Sequence, residues 1–86
     1  MAVKTGQQAT TTSAAALPSV AFSYGPVTMK APSTNAAPVE IGPSGVTAGS
    51  GFVLEPGDSV TLAAPNLNQL YLIGANTSDK ITWIGF

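Results

Sequence analysis

Apart from two tyrosines, the ionisable side chains number seven: the carboxylates Glu40, Glu55, Asp58 and Asp79 and the lysines Lys4, Lys30 and Lys80. Histidine and cysteine are absent. Ser-His and Cys-His nucleophile pairs therefore cannot be assembled, and the usual zinc ligand sets have no members. Glu55 and Asp58 are close enough in sequence to share calcium or to act as acid and base. The Pro56-Gly57 between them explains the spacing as turn chemistry instead: proline presets φ at the second position of a type II turn and glycine supplies the positive φ of the third. Asp79 and Lys80 read as solvated residues of another turn. Asn76-Thr77-Ser78 matches the N-glycosylation acceptor pattern, but the pattern is short and no secretory signal precedes it. The expectation is a non-enzymatic protein with no cofactor and no metal.

An ordinary soluble domain has about a quarter of its residues charged. With three lysines, four acidic residues and a net charge of -1, this chain must present a surface of Thr, Ser, Asn, Gln and Ala. Such a surface gives little colloidal protection against association. A chain of 8.6 kDa buries only roughly 60% of the surface its unfolded form exposes, and small domains are commonly supported by disulfides, metals or partner subunits. Here partners remain. Three lysines and no arginine leave no basic face for phosphates, so nucleic acid is not an expected partner. The longest apolar run, Leu70 to Ala75, is far too short to span a bilayer, so no membrane partner is expected either.

Residues 1–18 include TGQQATTTSAAA, with no large apolar side chain and no periodicity, and read as an extended or flexible N-terminal arm. Residues 19–86 read as the folded domain. Val20, Phe22 and Tyr24 alternate with small residues, Gly25-Pro26 bends the chain, and Val27 and Met29 continue the period-two pattern. Val39 to Ile41 makes a short strand before the turn signal Gly42-Pro43-Ser44-Gly45, and Gly45 to Gly51 reads as an exposed connection. Phe52 to Leu54 leads into the Glu55 to Asp58 turn, and Ser59 to Ala63, Leu67 to Ala75 and Lys80 to Phe86 read as further strands, the last two joined by a turn of hairpin length at Asn76 to Asp79. Nine glycines and seven prolines oppose any long helix. The expected fold is all-β: a small antiparallel β-sandwich or partly open barrel.

In the last two strands apolar residues occupy both faces, whereas a small sandwich covers one. Leu70 and Leu72 share one face, Tyr71 and Ile73 the other; Ile81 and Trp83 share one face, Thr82, Ile84 and Phe86 the other. Tyr71, Ile73, Ile84 and Phe86 are the candidate subunit or partner interface. The converse, with that face internal and the Leu70, Leu72 and Trp83 side partly exposed, is the alternative.

Residues 51–62, GFVLEPGDSVTL, and 66–75, NLNQLYLIGA, resemble small structural proteins of tailed bacteriophages, and TSDKITWI at 77–84 is similar to their short final hairpin. The resemblance implies a virion component, made in the host cytoplasm, of the capsid decoration or cement type. Such proteins bind the outside of the shell formed by the major capsid protein, often as trimers, which here implies a homo-oligomer. The arm could then add a strand to a neighbour's open sheet edge. Residues 1–50 carry no such motif, so a neck, tail or head-fibre protein is the structural alternative. A reading from another class is a small carbohydrate-binding module, with Trp83 and Tyr71 as stacking platforms and Asn66, Asn68 and Gln69 as hydrogen-bonding amides.

Overall fold

The computed structural model describes residues 3–23 and 26–86, in eight strands arranged as two antiparallel four-stranded sheets. In spatial order the first sheet contains β1 (Lys4–Ala9), β8 (Lys80–Gly85), β3 (Pro26–Lys30) and β6 (Ser59–Ala63). The second contains β2 (Ala15–Ala16), β7 (Tyr71–Gly74), β4 (Val39–Gly42) and β5 (Phe52–Leu54). Their inner faces meet in one core. Val27, Met29, Ile81 and Trp83 come from the first sheet and Val39, Ile41, Leu54 and Leu72 from the second, with Leu17, Phe22 and Leu67 added from the connections. The period-two pattern dictates this arrangement, because in β3 and β8 the neighbours of the buried residues, Thr28, Lys30, Thr82 and Ile84, must point to the opposite face.

Residues expected as an arm are extended, and they pair within the chain. Lys4 to Ala9 lies antiparallel to β8 along its whole length, and Ala15 and Ala16 pair with Leu72 and Tyr71. The physical reason is Gly6. It sits opposite Trp83 in the register, and a Cβ there would come within 2.9 Å of the indole Cε2. The lack of a side chain at this one position is what allows the indole to lie beneath the backbone. Polarity of the outward residues hides this strand from a search for apolar periodicity.

Three other expectations are corrected. Leu67–Gln69 is a single-turn 3-10 helix instead of the start of a strand: the Asn66 side chain caps it by accepting from Asn68 N, and the strand begins at Tyr71. Ala21 forms one isolated bridge with Asn66 and does not belong to a strand; the expected alternation through Tyr24 and the bend at Gly25 fall outside the described residues. The turn at Asn76 to Asp79 does not close a hairpin, because β7 and β8 belong to different sheets. The Pro-Gly turn is as expected: Gly57 has φ 94°, and Asp58 N donates to Glu55 O at 2.8 Å. It too carries the chain between sheets, from β5 to β6.

Candidate interaction surface

The four residues proposed as one interface lie on two. Leu72 points into the core, so Tyr71 and Ile73 stand on the outward side of the second sheet; Ile81 and Trp83 point inward, so Ile84 and Phe86 stand on the outward side of the first. These are opposite sides of the sandwich. Ile84 and Phe86 are 47% and 37% exposed, whereas Ile73 is only 5% exposed. The connection between β4 and β5 accounts for the difference. Its Ala48 lies with Ile73 around a common depression, and Val46 is buried close over Gly42, where an added Cβ would meet the Val46 Cγ2 at 2.7 Å.

Glu40 holds that connection down. Its carboxylate accepts from Gly49 N at 3.0 Å and from Gly51 N at 2.9 Å. The depression beside it, roughly 220 Å³ and lined by Pro38, Glu40, Ala48, Ile73, Gly74 and Ala75, falls below the ~300 Å³ of small-molecule sites. Its one charged group is already committed to backbone. A second depression, between Phe22, Ser23 and Ala63-Ala64-Pro65, offers carbon and one hydroxyl. Among the described residues no three His, Cys, Asp or Glu side chains are grouped to hold a metal.

Asp79 differs most from its expectation as a solvated residue, being only 3% exposed. Its carboxylate accepts from Ala36 N at 2.8 Å, Asn76 Nδ2 at 3.0 Å and Ala37 N at 3.2 Å. The Ala36 N–H lowers the Asp79 pKa most; burial opposes it, and the Asn76 amide and Ala37 N–H add to the lowering. Around it, Thr10 Oγ1 donates to Asn76 O at 2.8 Å, Thr10 N donates to Asp79 O at 2.9 Å, and Asn35 exchanges hydrogen bonds with both backbone groups of Lys80. This network ties three connections together at one end of the sandwich and turns the chain from the second sheet to the first. The Asn76 amide that a glycan would require is committed to Asp79.

Trp83 is 6% exposed under Gly6, so its indole face is not open to a sugar. Asn66 is occupied as well, its Oδ1 accepting from Val20 N and Asn68 N at 3.1 Å.

Two surfaces stand out among the described residues. The outward side of the first sheet carries a cross-strand row Thr5, Ile84, Thr28, Thr61 and a second row Gln7, Thr82, Lys30, Ser59, with Thr28 and Thr61 hydroxyls 2.9 Å apart. The other is the flank where the edge strands β5 and β6 lie together, joined by their four-residue turn. Phe52 is 58% and Val53 49% exposed there. Sequence reasoning missed this flank, although three successive apolar residues at 52–54 signal it: in a strand one of them must point away from the core. Compared with models of known families and with curated proteins, the chain matches none.

Proposed function

We propose that this chain is a non-enzymatic virion structural protein, of the capsid decoration type, which binds the outside of a phage shell and bridges subunits of the major capsid protein. The observation that carries the reading is the pair of separate exposed apolar surfaces on a body with few charges: the Ile84 and Phe86 face and the Phe52 and Val53 flank. A bridging protein needs two contact surfaces. Charge-poor Thr-rich strands beside exposed aromatic residues suit contact with protein more than with phosphate or solvent. The resemblance of residues 51–86 to phage structural proteins supplies the virion.

Cosedimentation with empty phage heads tests this. Binding to expanded heads and not to unexpanded ones is the expected result, and binding to neither removes the reading. Immunogold labelling of virions separates decoration, which covers the whole head, from a neck, tail or head-fibre position.

A further inference from the structure

A sandwich of two open sheets has four edges, and here three are guarded. Edge strand β1 carries Lys4 and Gly6, β2 is two residues long, and β5 is three residues long. Charges, brevity and proline are the devices that keep a sheet edge from pairing with another chain. β6 has none of them. Ser59-Val60-Thr61-Leu62-Ala63 is five residues without charge, proline or glycine, and among the described residues it pairs on one side only, with β3. Val60 and Leu62 pack against the core yet stay half-exposed, and β5, joined to β6 by a four-residue turn, carries the exposed Phe52 and Val53.

We propose that β6 is the homodimer edge: it pairs antiparallel with β6 of a second copy about a two-fold axis at Thr61, fusing the two first sheets into one of eight strands. The register selects a second copy as the occupant. Centred on Thr61, the middle residue of the strand, the pairing sets Val60 opposite Leu62 of the second copy and Thr61 opposite itself. Apolar meets apolar on the inner side, and a Thr–Thr pair, favourable across strands, extends the existing Thr5, Ile84, Thr28, Thr61 row on the outer side. Asp58, the charge nearest this edge in sequence, falls opposite Ala64 of the second copy, so the two copies of Asp58 lie at opposite ends of the paired strands. No like charges are opposed. Because β5 shares this flank, the same axis brings Phe52 of each copy toward the β5 edge of the other. The pairing needs no viral shell, so its failure and the failure of the capsid reading are separate results.

Sedimentation velocity of the full chain is expected to give twice the monomer mass. Thr61→Asp and Thr61→Lys, each on the exposed outer side, are each expected to give the monomer mass, because each places like charges face to face at the axis. An equimolar mixture of the two is expected to regain the doubled mass. A monomeric wild type, a wild-type trimer, variants that keep the wild-type mass, or a mixture that stays monomeric would each overturn the proposal. Thr61→Cys gives a second test, independent of how the charged variants fold, since the chain has no cysteine of its own. Mild oxidation is expected to convert it to a covalent dimer, and a chain that remains uncrosslinked at concentrations where the wild type is associated overturns the two-fold register.

Discussion

At the scale of single residues, the fold depends on contacts that residue type alone does not announce. Asp79 looks like a turn carboxylate, yet it accepts three hydrogen bonds in a nearly closed site. Since folding lowers its pKa, its contribution to stability is complete above the ordinary carboxylate range. It is lost as pH falls through that range and the lowered folded value. Thermal melts from neutral to acidic pH are expected to show a falling midpoint for the wild type. Asp79→Asn is expected to start lower, because its amide sets a donor against backbone donors, and to fall less steeply; an unchanged acid slope would exclude Asp79 as the group responsible. Gly6 is the apolar counterpart. Gly6→Ala drives a methyl into the Trp83 ring, and overpacking of this kind costs roughly 1–3 kcal/mol. Urea denaturation followed by Trp83 emission checks it, with a lower midpoint at unchanged slope as the expected outcome.

At the scale of elements, the legible parts were those whose own residues carry the period. β3 and β6 alternate apolar and polar side chains, and the apolar faces read from that alternation are the ones packed toward the core. The Glu55 to Asp58 turn was legible because proline and glycine constrain φ locally. β1 was not, since its polar and small residues are chosen to fit the partner strand's tryptophan. Nor was the sheet membership of β7 and β8, because a five-residue link fits a hairpin and a crossing between sheets equally well, and the Thr10, Asn35 and Ala36 partners that select the crossing are remote in sequence. The candidate interface was half legible for a related reason: alternation identifies which side chains point outward, and only topology says that the outward sides of β7 and β8 are opposite. The β4–β5 connection covers Ile73 through a loop that composition marks as exposed. Glu40→Ala removes the carboxylate that fastens it through two backbone N–H groups, at a cost of roughly 1.5–3 kcal/mol, the usual net value for hydrogen bonding to a charged group. Hydrogen exchange is expected to accelerate at the Gly49 and Gly51 amides while β3 and β8 stay protected; unchanged exchange at both glycines would mean that Val46 packing alone holds the loop.

At the scale of the whole molecule, every connection except that from β4 to β5 crosses between the sheets, so most pairings join residues far apart in sequence. β1 with β8 is the extreme case, Lys4 lying opposite Gly85. Non-local antiparallel pairing requires loop closure before contact energy is gained, and all-β domains of this kind fold in about milliseconds to seconds. The pairing also decides what the N-terminal residues are for. An arm used only for docking could be removed with the domain left intact. Here β1 covers Trp83 and supplies a neighbour to β8, which would otherwise become an open edge with exposed Ile84 beside it. Deleting residues 1–9 is therefore expected to red-shift the Trp83 emission, lower the thermal midpoint or abolish the transition, and increase self-association through the newly open β8. A truncated chain that melts like the full one, with blue emission, would show that the sandwich closes without its first strand and that those residues serve an external contact instead.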